Sequence, residues 1–251
     1  PVKNKKIYLV FVLCFTPFIF GFLIPFIRLL TWLLYSSFNF GDMDIVQISF
    51  NTIFISLIAS LSIVCIAFAI NFVKNYFNNQ IVRKVSELAI LGYSIPGAII
   101  AIGILKLNSH INTSFNILII GSVSGLVFAY GVRFLAVAWQ PIQSSMKKQC
   151  ASINHASRVL NASSTTSLFK INLPILRKPL LIAALIVFID VAKELPLTLI
   201  LRPFNFDTLA TYTYDLINQA QFFQSSLPSL LIIAISFPAI YLINRTTRDE
   251  L

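Results

Sequence analysis

Six apolar runs, each long enough to cross a bilayer, constrain this chain more than any motif does. They lie near residues 7–30, 52–73, 88–105, 117–139, 180–201 and 227–243. An α-helix needs about 20 residues at about 1.5 Å rise to cover a hydrocarbon core of about 30 Å. Only helices and closed barrels satisfy every backbone polar group there, and uninterrupted runs of this length specify helices. The chain is 57% hydrophobic and 11% charged, with a mean hydropathy of +0.83. A soluble protein with six such helices would have almost no polar surface left to meet water. The expectation is an all-α polytopic membrane protein forming one transmembrane domain over residues 1–251. Lys3, Lys5 and Lys6 precede the first run as in a signal peptide, but the run is too long and has no small-residue cleavage site, so it reads as a span. The start at Pro1 without an initiator Met suggests a processed chain or the back part of a longer one.

The net charge of +10 does not indicate nucleic acid, because its placement reports topology instead. Alternate segments collect Lys3, Lys5, Lys6; Lys74, Arg83, Lys84; Lys147, Lys148, Arg158, Lys170, Arg177, Lys178; and Arg245, Arg248, fourteen of the nineteen basic residues. Both termini and the polar island at 140–179 are therefore expected in the cytoplasm, with Asp42, Asp44, Asp207 and Asp215 outside. Cys14, Cys65 and Cys150 form neither a disulfide framework nor a CxxC pattern. His110 and His155 fall on opposite sides of the membrane and cannot share a metal. No HExxH, GxSxG or paired His supports an intramembrane enzyme. No Gly-x-x-x-x-Gly-Lys-Ser/Thr run is present to bind ATP. A channel or ion-coupled carrier remains a competing class, favoured by charges within the fifth run.

Within the island, Ile142, Met146, Cys150, Ile153, Ala156 and Leu160 recur at helical spacing and predict an amphipathic helix over about 142–160. Lys147, Lys148, Asn154 and Arg158 lie on its opposite face, which suits water or anionic headgroups. Asn161 tolerates the left-handed conformation that ends many helices. Ser163, Ser164, Thr165 and Thr166 offer N-cap oxygens for a second helix through about Phe169, which Leu173-Pro174 closes. The island is thus expected to be a cytoplasmic helix–turn–helix. The spacing of His155-Ala156-Ser157, Asn161, Ile171 and Leu173-Pro174 resembles the EAA loop of ATP-binding-cassette (ABC) importer permeases. Ala156, Ile171, Leu173 and Pro174 match that pattern, while His155 stands for Glu, Ser157 for Ala and Asn161 for Gly. The resemblance implies a coupling loop docked on a separate ABC ATPase dimer. That partner would hold ATP and Mg, and this chain would bind no cofactor and catalyse no reaction.

Asp190, Lys193 and Glu194 sit in the middle third of the fifth run, where each charge costs about 2.5–3.5 kcal/mol unless it faces protein or water. They should point inward. Asp190 is one turn from both neighbours, so the lysine can neutralise one carboxylate and leave the other free or protonated. Pro196 lacks an amide hydrogen and deprives the Ala192 carbonyl of its helical partner. Glu194 is the residue expected to gate a cation path, against the alternative of a buried ion pair that only fixes packing. Lys193-Glu194-Leu195-Pro196, Leu201-Arg202-Pro203-Phe204 and Phe206-Asp207-Thr208-Leu209-Ala210 resemble the ferric-iron permease family of ABC importers. Gly92-Tyr93 and Pro96-Gly97 of the third run fit the same family. The resemblance implies a six-span type I importer domain in the bacterial cytoplasmic membrane. It also implies an external substrate-binding protein and a second permease module, usually fused in one chain. Arg202, Phe204 and Asp207 would form an outer loop, with Tyr212 and Tyr214 meeting the binding protein and Phe222 and Phe223 in an interfacial belt. Tight iron binding would oppose release, so no stored metal is expected. Permeases for polyamines, thiamine or phosphonates share the coupling loop and remain alternative readings of the substrate.

Overall fold

The structure, a computed structural model, describes residues 4–36, 43–77, 80–115, 121–150, 153, 156–157 and 159–248. Helices α1 (Asn4–Phe18) and α2 (Ile24–Tyr35) are joined by a π-helical turn, Ile19–Leu23, flanked by Pro17 and Pro25. A proline in a helix removes one ladder hydrogen bond, and the widened turn absorbs the defect. Nothing within the apolar window Val10–Tyr35 is buried. Phe11, Phe15, Phe18, Phe22 and Phe26 instead stack on one another, with centroids 4.9–5.6 Å apart. Protein contact is confined to the end of α2 around Trp32 and Leu33, and the remaining apolar surface, exposed on every side, belongs in lipid.

The core forms where small residues let backbones approach. In α3 (Met43–Phe77) Ser56, Ala59, Ala67 and Asn71 are fully buried, and two buried side chains donate back to carbonyls of the same helix, Thr52 to Ile48 at 2.9 Å and Asn71 to Ala67 at 3.0 Å. α6 (Val123–Ser145) presents Leu126, Ala129, Tyr130, Ala138 and Ile142, and α9 (Arg177–Ala192) presents Ala183, Val187 and Val191. These three helices pack on one another, the small-residue pattern expected where lipid supplies no hydrophobic drive between helices.

Among the described residues, four helices are long and apolar enough to cross a membrane: Val10–Tyr35, Asp44–Tyr76, Val123–Lys148 and Ser226–Arg248. The last corresponds to α12, Ser226–Arg248. Two of the six apolar runs are interrupted. The run 88–105 is broken: α4 (Gln80–Ala89) and a 3₁₀ turn (Ile90–Ser94) meet α5 (Gly97–Phe115) at a bend of 115°, and the pair counts as a fifth span only if taken together. The run 180–201 stops at Ala192 and restarts as α10 (Pro196–Leu201). Both breaks stand immediately before a proline, which disfavours helical geometry in its predecessor. Gly92 lies against the Val132 carbonyl so closely that a Cβ would collide with it. The stretch expected as an outer loop contains a further helix, α11 (Leu209–Asn218), begun by a capping box between Thr208 and Thr211.

The island differs from the expected pair of helices. α6 runs on through a π turn, Met146–Cys150, so residues 142–150 extend the span instead of starting a new helix. Ile142 and Met146 are buried, but Ala156 is exposed and Leu160 is 81% exposed, so the expected apolar stripe is not packed along its length. Asn161 does adopt φ 56°, with Ala162 N–H bonded to Ser157 C=O at 2.9 Å, a Schellman closure. Ser163 then caps α7 (Ser164–Thr166) by accepting from Thr166 N–H at 3.2 Å. Leu173-Pro174 does not close this second helix. It continues through a π turn, Ser167–Asn172, into α8 (Leu173–Ile175), whose first turn tolerates Pro174.

The backbone at Asn161 makes a graded prediction. Asn161→Gly leaves the loop as protected from limited proteolysis as the native chain, while Asn161→Val, which costs about 1–2 kcal/mol in the left-handed region, opens it to cleavage several-fold faster. Equal cleavage of the two variants would contradict the closure.

Candidate functional site

The two interrupted runs converge on one ion pair. Arg133 of α6 places Nε 3.5 Å from Glu194 Oε2, with the glutamate side chain 7% exposed. Glu194 Oε1 accepts from Leu197 N–H at 3.3 Å, and the Glu194 carbonyl accepts from Thr198 Oγ1 at 2.8 Å. Because the Thr198 hydroxyl spends its proton on that carbonyl, Tyr130 donates to Thr198 Oγ1, at 2.6 Å within the core. Tyr130 and Arg133, one turn apart on α6, therefore both hold the residues at which α9 gives way to α10. The other break joins from α5: a Cβ on Gly97 would stand 2.8 Å from Glu194 Oε1 and collide with Arg133 Nη1. Glycine is what allows the start of α5 to reach the pair.

Of the two carboxylates, Asp190 is the one that the lysine neutralises. Lys193 Nζ pairs with Asp190 Oδ1 at 2.9 Å, and Glu194 turns the other way, to Arg133. The second carboxylate is therefore paired rather than left free. Pro196 opens α10 as its first residue. Arg133, the partner of Glu194, is the residue of this junction that the sequence analysis does not single out. Its signal was present, since a lone arginine inside the apolar run 117–139 must find a partner at membrane depth. Beside the pair, a cavity of about 570 Å³ is lined by Tyr93, Gln140, Ser144, Ile186 and Asp190 among others. Among the described residues, no three His, Cys, Asp or Glu side chains are grouped to hold a metal ion.

The predicted outer loop is a braced structure. Arg202 pairs with Asp207, and also with Asp215 at 3.4 Å. Asn51 donates to the Asp207 carbonyl at 3.2 Å and Thr52 accepts from Leu209 N–H at 2.8 Å, which ties the loop to α3. Phe204 stands free, 94% exposed. Phe222 and Phe223 pack against Trp32, with centroids 6.5 and 6.1 Å away, and Arg28 lies over the same indole at 5.3 Å. An aromatic cluster with a basic neighbour fits a bilayer interface. Of the residues expected to form a coupling loop, Ala156, Leu173 and Pro174 are exposed, Ile171 is half-buried and Ser157 is buried; His155 lies outside the described residues.

No protein-family model matches the chain. It is 22% identical over 233 residues, 91% of its length, to the Fe(3+)-transport system permease protein FbpB 2 of Haemophilus influenzae, and spans 45% of that relative. A chain of a bacterial alginate ABC transporter, solved with an alginate pentasaccharide-bound periplasmic protein, superposes with a TM-score of 0.71 at 15% identity, covering 98% of this chain and 96% of that one. A chain of a bacterial ABC transporter involved in import of the acidic polysaccharide alginate gives 0.69 at 12% identity over the same shares. The likeness to these structures is one of fold, and all three comparisons are with transport proteins rather than enzymes.

The close approach at Gly97 predicts that Gly97→Ala separates Arg133 from Glu194 and destabilises the protein by about 1–3 kcal/mol. Gly103→Ala on the same helix, where a Cβ meets nothing within 4 Å, is neutral or stabilising. Thermal unfolding in detergent compares the two, and equal melting temperatures would contradict the packing described.

Proposed function

We propose that this chain is a permease module of an ATP-driven ABC importer that moves ferric iron across the bacterial cytoplasmic membrane by alternating access. The observation that carries the importer reading is fold likeness over 98% of the chain to part of an ABC transporter. Two structural features support it. Within the island an ordered turn at Asn161 is flanked by the exposed side chains of Val159, Leu160 and Phe169, which suits docking in a cleft of an ATPase dimer carrying ATP and Mg. The Arg133–Glu194 junction joins two interrupted spans, and interrupted spans with polar groups at their breaks are how transporters build a pathway through a bilayer.

In this reading the cavity beside Asp190 is part of the path on the cytoplasmic side. The 202–208 loop faces a substrate-binding protein, and a second permease module completes the pathway, either fused to this one or as another copy. Both termini and the island lie in the cytoplasm. Iron is the cargo favoured by the 190–210 stretch and by the named activity of the Haemophilus relative. Carboxylates suit a hard cation, and a site without a metal-ligand cluster lets the cargo leave. ATP binding would close the ATPases, pull on the coupling loops and rock the modules between inward-open and outward-open states.

Uptake of labelled ferric iron by cells with and without the gene, alongside labelled putrescine, tests the assignment. Iron uptake alone is expected to fall; intact iron uptake with loss of the other solute would discard iron and keep the importer. Ala156→Asp, which puts a charge on the docking surface, is expected to abolish uptake while membrane levels stay normal. Unchanged uptake in that variant would remove the coupling role.

A further inference from the structure

α4, with the sequence QIVRKVSELA, sorts its side chains into three faces. Val82, Ser86 and Ala89 turn toward the protein, with Ser86 1% exposed. Ile81, Val85 and Leu88, spaced four and three residues apart, are 71%, 59% and 66% exposed. Arg83 and Lys84 occupy the third face with Gln80 and Glu87, all exposed. An apolar stripe set between a protein contact and a basic edge is the arrangement of a helix at a bilayer surface. Against α3 the helix leaves an open groove of about 380 Å³, walled by Ala69, Ile70 and Val73 on one side and Val82, Val85 and Ala89 on the other. Glu87 faces Lys74 at 3.8 Å, whereas among the described residues Arg83 and Lys84 have no acidic partner.

We propose that this groove binds an anionic phospholipid, with an acyl chain between α3 and α4 and the phosphate held by Arg83 and Lys84. The guanidinium offers paired donors to phosphate oxygens and the lysine adds a point charge. Charge selects this occupant over the other apolar one the structure offers. The other apolar candidate is the α1–α2 segment of a second copy, but residues 4–35 contain no Asp or Glu and would leave both cations unmatched. The site is independent of which solute the protein carries.

Native mass spectrometry of the full chain, purified in mild detergent and mixed with phosphatidylglycerol or phosphatidylcholine, tests the site. The native protein is expected to retain phosphatidylglycerol in preference. Arg83→Gln with Lys84→Gln is expected to weaken that binding about 30-fold and leave phosphatidylcholine unchanged. Val82→Trp, which fills the groove, is expected to remove the tight adduct with both charges in place. The charge variant alters only exposed side chains, so it stays informative if the tryptophan disturbs folding. Equal retention of the two lipids by the native chain, or unchanged phosphatidylglycerol binding in the charge variant, overturns the proposal. A disulfide in native membranes between Val85→Cys and Cys14 of another copy would overturn it in favour of a protein occupant.

Discussion

A buried charge inside a membrane protein has to be answered within reach of its own side chain, and the Arg133–Glu194 pair is where this chain meets that requirement. Removing one member of such a pair leaves an uncompensated charge and costs about 3–5 kcal/mol. The pair also sets geometry. Its arginine comes from an unbroken span, its glutamate from the gap between α9 and α10, and the start of α5 closes over it at Gly97. Three segments are thereby tied at one point, and two of them are broken helices that the ordinary ladder of backbone hydrogen bonds cannot hold.

The interruptions would be costly if their backbone groups went unanswered. At the second break the answer is local: the Glu194 carboxylate takes the Leu197 amide, and the Tyr130 hydroxyl reaches the Glu194 carbonyl through Thr198. The same side chain that forms the ion pair also starts the next helix, so moving Glu194 disturbs both.

The sequence made some of this legible for reasons specific to each segment. The runs at 7–30, 52–73, 117–139 and 227–243 stood out because a long apolar helix in lipid needs no periodicity to be recognised. In the run 180–201 the interruption is legible from Pro196, which lacks an amide hydrogen, whereas average hydropathy passes smoothly over Pro96 and hides the 115° bend in the run 88–105. Asn161 was readable because the left-handed preference is a property of one residue. The partner of Glu194 was not, since Asp190 and Lys193 are near in sequence and Arg133 is near only in space. α11 was taken for loop because ten residues with threonines and tyrosines carry no span signal, although the Thr208–Thr211 cap that begins it was within reach of sequence rules.

The account rests on the pair acting as a unit, and a double-mutant cycle measures that directly. Arg133→Met, Glu194→Gln and the combined variant would be unfolded in detergent at one pH and salt concentration. Energetic coupling predicts that each single change is markedly destabilising and that the double variant loses less than the sum of the two, by at least about 1 kcal/mol. Additive losses, or single variants as stable as the native chain, would show that the two side chains are neighbours without being partners, and the junction would lose its central place.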